Sequence, residues 1–274
     1  MVRPGRPVRN DGPPRSGESA RRPAAAERVR TLVESNASGA LTIPGLAAGA
    51  RDDQALGHSP PEVRAVAPSG DIYLLVPAGS PAARAAAHAA GEELAAVMDL
   101  TDVAPVSVPH RIRGRGWIAG WLTAARRSER AWAGALLARR HPTGPMEGPH
   151  WALLRMEMGE GYTDDLWGAA RVGPEEFAAA ESDPVSRHEA DLLQHLACCH
   201  GERLAGLAGL LSEEERGRTQ GRRVVPLSLD RFGLRVRFCG AGPGCYDARF
   251  DFPEPVRDAA GLRRALRRLL DAAA

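Results

Sequence analysis

The last third of the chain changes its hydrophobic period twice, and that change limits what it can fold into. Leu193, Leu196, Leu204, Leu207 and Leu211 recur at the three- and four-residue spacing of an amphipathic helix. The runs VVPLSLDRFGLRVRF and CYDARFDFPEPV that follow are rich in branched and aromatic residues, as strands are. GLRRALRRLLDAAA then returns to helical spacing. Helix, strand, strand, helix describes one small α/β module over residues 185–274, in which each apolar face needs the others for cover.

The upstream pattern differs. AAERVRTLVESN reads as a short amphipathic helix, with Val29, Leu32 and Val33 on one face, and ASGALTIPG as a short strand. Residues 46–60 read as a loop, and EVRAVA and DIYLLVP as strands joined by a tight turn at Pro68-Ser69-Gly70. SPAARAAAHAAGEE is a helix capped by Ser80, with Pro81 at its first position. LAAVMDL is a strand, and HRIRGRGWIAGWLTAA a long strand with alternating arginines. RSERAWAGALLARR is a helix, and WALLRMEMGEGYTDD a last strand. This order is not a βαβ repeat. It suits a closed or half-open β-barrel with helices across its ends, over residues 26–173. The polar stretch 174–184 is expected to be a linker. Residues 1–25, rich in Pro, Gly and Arg, are expected to be a disordered tail. The expected class is α+β: a split β-barrel with a C-terminal helix-strand-strand-helix module.

Composition removes several functional classes. The chain has 274 residues, no lysine, and a net charge of +2. All 36 basic residues are therefore arginine, and arginine clusters follow from composition rather than from a polyanionic partner. Neither nucleic acid nor a membrane surface is expected as a partner. No apolar run approaches the ~20 residues of a membrane span, and the first 30 residues hold no signal-peptide core. A cytoplasmic protein with reduced thiols is expected. Cys198 and Cys199 diverge by about 100° on a helix and lack zinc-knuckle spacing, and no metal site is expected.

The chain has no nucleophile elbow, Walker loop, zinc-protease helix or Ser-His-Asp arrangement, so no catalytic residue is assigned. GAGPGC at 240–245 opens no helix and reads as a hairpin turn. Ser80, at a helix start, forms a candidate anion cradle with Arg64 and Arg84, because free N–H groups and a positive dipole end suit a phosphate or a carboxylate. His200 lies within the leucine stripe. Such a histidine either hydrogen-bonds in the core or binds a ligand such as haem iron. His195 projects about 140° away from it, so one ion on a straight helix cannot take both. Trp117 and Trp121, on the arginine-rich strand, read as a dimer contact.

Two resemblances bear on these residues. His195, His200, the run Asp230-Arg231-Phe232-Gly233 and Phe252-Pro253 resemble the C-terminal module of the HugZ-type haem-utilisation family. EVRAV, IYLLV, GSPAARAA and residues 110–142 are similar to the pyridoxamine-phosphate-oxidase-like split barrel, whose members bind FMN. In that second family an arginine on the second strand and a Ser-Arg-Lys at the next helix start hold the flavin phosphate. Arg64 and Ser80 stand at matching positions, the following basic residue is displaced to Arg84, and the lysine ending the second strand is absent. Together the resemblances imply a dimeric haem-binding protein of haem utilisation, trafficking or breakdown, with Arg64, Ser80, Arg84 and His200 as cofactor-binding candidates. An FMN-dependent oxidoreductase and a non-catalytic dimeric binding module are the alternatives. The haem-utilisation family carries its iron ligand near the C-terminus. Here that stretch reads RRLLDAAA and holds no histidine, so no ligand is carried over.

Overall fold

The computed structural model describes residues 21–45, 61–142, 144, 148–240 and 244–273. Most of the expected tail, the loop at 46–60 and the tip of the 240–245 turn lie outside the described residues. Residues 21–24 are a non-helical lead-in, and Arg21 Nη1 donates to the Pro253 carbonyl at 2.8 Å.

The chain runs α1 (Ala25–Glu34), β1 (Ser38–Thr42), β2 (Val63–Val66), β3 (Ile72–Pro77), α2 (Pro81–His88), β4 (Leu94–Val103), β5 (Ile112–Ala124), α3 (Arg127–Arg140), β6 (Trp151–Asp165), β7 (Gly168–Val172) and α4 (Pro174–Ala179). These strands form one curled antiparallel half-barrel sheet in the order β1-β4-β5-β6-β3-β2, with β7 also paired to β6. Val29 and Val33 of α1, three alanines of α2 and Phe177 of α4 fill one face of the sheet. Ala133 and Leu137 of α3 cover β2, β3 and part of β6 from the other face. Strand β3 is thus covered on both sides, which explains its unbroken apolar run Ile72–Val76. Phe177 lies in the stretch expected to be a linker and is fully buried. Burial of such a side chain contributes about 1.5–3 kcal/mol. Between Ala119 and Gly120 the β5–β6 register shifts. A Cβ at Gly120 would overlap the Glu157 carbonyl, so glycine is required there.

The C-terminal module continues as α5 (Ser186–Cys199), α6 (Gly201–Gly206), a 3-10 turn (Leu207–Leu210), α7 (Glu213–Thr219), β8 (Arg223–Asp230), β9 (Gly233–Cys239), β10 (Cys245–Asp251) and α8 (Ala259–Asp271). It has three strands where two were expected. Asp230 Oδ1 accepts from the N–H groups of Phe232 and Gly233 at 2.8 and 3.1 Å, and this side-chain turn folds the first expected strand into a hairpin. The leucine stripe packs on the resulting sheet, in order β10-β9-β8, together with Leu262, Leu266 and Leu270 of α8.

The two parts share a seam. Ala104, Val106 and Val108, from the β4–β5 connection, belong to the core of the C-terminal module. Arg237 of β9 donates to the carbonyls of Pro109 and His110 at 2.7 and 2.9 Å, and pairs through both of its arms with Asp247.

Candidate functional site

The buried arginines on the curled-sheet side serve helix ends. Helix α1 stops at Glu34, and the carbonyls of its last turn need donors. Arg64 of β2 supplies them. Its Nε donates to Val33 O at 2.9 Å, and its Nη2 donates to Ser35 O and Ala37 O at 3.0 and 2.5 Å. Arg140 donates to Glu34 O at 3.0 Å and pairs with the Glu34 carboxylate at 3.4 Å. Arg30 does the same for α4, donating to Phe177 O and Ala178 O at 3.1 and 3.3 Å. The negative ends of both helices thus hold buried cations. Burial pushes the Arg64 guanidinium down to about 10. A Cβ at Gly39 would overlap Arg64 Nη1, so glycine leaves the guanidinium its place.

Each of the three residues of the expected cradle makes hydrogen bonds within the fold. Arg64 is engaged at the end of α1. The Ser80 hydroxyl accepts from Ala83 N–H at 3.2 Å, as the cap of α2. Arg84 donates to the Gly79 carbonyl.

His200 has left the stripe. The sequence spacing suggests one continuous helix, but α5 ends at Cys199 and α6 begins at Gly201, with His200 between them at φ −129° and ψ 29°. Leu196 and Leu204 on either side remain buried, while His200 is only half-buried and His195 is exposed. The break swings the two rings together, with 3.2 Å between their Nε2 atoms. The separation expected on a straight helix is therefore absent. Cys198 and Cys199 beside them are exposed free thiols.

A cleft of about 130 Å³ lies in the seam, walled by Arg28, Asp165, Trp167, Arg113, Glu189 and Asp230, among others. Arg113 holds it together. It donates to both Glu189 carboxylate oxygens at 2.6 and 3.1 Å, to Asp102 at 2.7 Å and to the Leu227 carbonyl at 3.1 Å. Burial works against its charge, but Glu189 and Asp102 outweigh that and hold the guanidinium above its ordinary value. Arg28 pairs with Asp165, whose carboxyl burial nonetheless raises. Trp167 carries the guanidinium of Arg249 over its ring at 4.3 Å. No local pattern in the chain marks this seam, because Arg113 and Glu189 lie far apart in the chain and meet only through tertiary packing. A second cavity, of about 410 Å³, lies between α6, α7 and β8. Phe238, Val224, Arg216 and Arg222 help to line it.

No protein-family model matches the chain, and no curated protein is similar to it. Among solved structures it is similar to a heme binding protein from Mycobacterium smegmatis. The identity is 22%, the match covers 92% of this chain and 98% of that one, and the TM-score is 0.58. That likeness shows a shared fold across both parts of the molecule. A protein of unknown function from Agrobacterium tumefaciens matches over 90% of this chain and 95% of its own, at 17% identity and a TM-score of 0.39, which is too distant to carry an argument. Among the described residues, no helix is long and apolar enough to cross a membrane.

Proposed function

We propose that this chain is a haem-binding protein of the HugZ type, built on a split barrel, that works in haem utilisation, trafficking or breakdown in the cytoplasm. The observation that supports this reading most is the end-to-end likeness to the mycobacterial heme binding protein, which pairs the curled sheet with the same C-terminal module over 98% of that chain.

Neither of the two cavities described above offers haem both room and an iron ligand. Pockets for drug-sized ligands measure roughly 300–1,000 Å³, well above the 130 Å³ of the seam cleft. The larger cavity has an apolar wall and arginines suited to carboxylates, but neither cavity is lined by a histidine, cysteine, methionine or tyrosine to ligate iron. In this reading the iron ligand is an imidazole outside both cavities. His200 is the candidate, half-buried with a ring nitrogen at the surface of the module. The expected homodimer belongs to the same proposal, with the 46%-exposed Trp121 as its contact. The flavin alternative has less support, since Arg64 and Arg84 donate within the fold and the Ser80 hydroxyl caps α2.

Haemin titrated into the full-length protein should give a saturable, shifted Soret band, altered in His200→Ala. FMN added under the same conditions should keep its free spectrum. Absence of any saturable Soret change would overturn the reading.

A further inference from the structure

The break between α5 and α6 builds a pair of imidazoles, of which the haem reading uses His200 alone, and its geometry is specific. The two Nε2 atoms are 3.2 Å apart, and the ring centroids are 5.0 Å apart at an interplanar angle of 76°. Two arrangements bring imidazole nitrogens this close. One is an N–H···N hydrogen bond, in which the donor ring points at its partner's lone pair. The other is shared coordination, in which both lone pairs point at a third position.

Centroid separation shows whether the rings are aligned along the N···N line or turned toward a third position. In a linear hydrogen bond of this length each ring extends away along the line of the bond, and the centroids lie about 5.5 Å apart. For two nitrogens on one ion at about 2.05 Å, a 3.2 Å separation subtends roughly 103° at the ion, and rings aimed at it have centroids about 5.0 Å apart. The observed 5.0 Å agrees with convergence on a common point.

We infer that His195 and His200 form a two-imidazole clip for a borderline divalent transition ion, of the zinc, cobalt or nickel kind. Imidazole suits these ions, and an angle near 103° suits tetrahedral zinc or cobalt. Among the described residues no group of three or more His, Cys, Asp or Glu side chains is poised for a metal. The clip therefore supplies two ligands and leaves the remaining positions to water or to a small external ligand. That is the open coordination of a site that exchanges its cargo or polarises a ligand, in contrast to a closed structural site. The clip depends on the helix break. On an uninterrupted helix the rings would point about 140° apart, so the conformation of His200 is what creates it.

This inference shares His200 with the haem reading but does not depend on it, and the test separates the two by using the haem-free, full-length protein. Cobalt chloride is titrated while the visible ligand-field band is followed, and zinc chloride is titrated in a calorimeter. Wild type should bind one ion per chain and develop a tetrahedral cobalt band. His195→Gln and His200→Gln should each lower affinity at least tenfold and abolish the band. Controls at the two ends of α5, His188→Gln and Cys199→Ser, should leave both unchanged. A wild type without a saturable cobalt or zinc signal would overturn the inference. So would loss of binding in only one of the two histidine variants, because one imidazole would then suffice. Undiminished binding in both would place the ion elsewhere. Circular dichroism of the variants, expected to match wild type, excludes unfolding as the cause of a loss.

Discussion

The arginines around α1 and the histidines at the end of α5 are polar groups of opposite standing. Arg30, Arg64 and Arg140 are drawn inside, and their donors are engaged by helix-end carbonyls. His195 and His200 lie at or near the surface, and their ring nitrogens face each other and have no backbone partner among the described hydrogen bonds. The lesson concerns hydrogen-bonding capacity more than residue type. An arginine on a strand that matches a phosphate-binding position is not available to a ligand when the fold already occupies its fork. A histidine placed by sequence in an apolar stripe becomes available when the helix turns away beneath it.

The largest effect that would sharpen this contrast is expected at Arg113, the extreme of the engaged class. Its guanidinium joins Asp102 of the curled sheet to Glu189 of the C-terminal module, with all three groups largely buried. Arg113→Ala should lower stability by about 3–5 kcal/mol, because it strands a buried carboxylate. Denaturant unfolding measures it. Replacing Arg113 and Glu189 together by apolar residues should recover much of that loss, since no uncompensated charge remains at that pair. A single variant that loses less than about 1 kcal/mol would show that the seam does not couple the two parts.

Arg64→Ala comes next. It removes the donors to three carbonyls and leaves a void behind Gly39, and about 2–4 kcal/mol should be lost. Haemin affinity per folded molecule should stay the same if the arginine serves only the end of α1. A tenfold weaker affinity at unchanged stability would move Arg64 back into the ligand-binding class and break the comparison.

A smaller, pH-dependent effect should come from His141, whose Nε2–H donates to the Arg64 carbonyl at 2.9 Å. Burial, aided by the neighbouring arginines, lowers its proton affinity below that of a free imidazole, against the pull of that hydrogen bond. The unfolded chain therefore takes up a proton first as pH falls. Its contribution to stability is complete above the unfolded value of about 6.5 and is lost as pH drops below it. The slope cannot exceed about 1.4 kcal/mol per pH unit for one proton. Thermal melts from about pH 7 down to about pH 5.5 should show the decline, and His141→Gln should flatten it. A slope that persists in the variant would assign the proton to another group.

Much of this arrangement was legible in the sequence. The apolar run of β3, the Ser80 cap with Pro81, and the leucines of the C-terminal module are local signals, and the chain obeys them. The hairpin at Asp230-Arg231-Phe232-Gly233 was legible only in part. Its aspartate is a turn residue, but the apolar residues on either side mask the turn as one continuous strand. The break at His200 also left a trace, in Gly201 directly after it, although the leucine spacing runs on through the kink. Arg113 left none. It lies on the outward face of β5, where Arg115 is exposed, and only the C-terminal module closing over that end of the strand buries it. No spacing within one segment encodes which distant surface will cover it.

The smallest stability effect is expected where the functional effect is largest, at the histidine pair. His195 is exposed and His200 half-buried, and apart from their contact with each other their rings have no described side-chain hydrogen bond. Replacing either by alanine removes little packing and strands no buried partner, so stability should change by less than about 0.5 kcal/mol. The same substitutions should remove the cobalt band, and His200→Ala should alter the haemin spectrum. A structural histidine would behave in the opposite way, with stability lost and spectra per folded molecule retained. Chemical denaturation and the two spectra, recorded on the same preparations of His195→Ala and His200→Ala, therefore decide between the readings. A loss above about 2 kcal/mol in His200→Ala would return it to the core, since that is the range for an unpaired polar partner and a void in a packed interior.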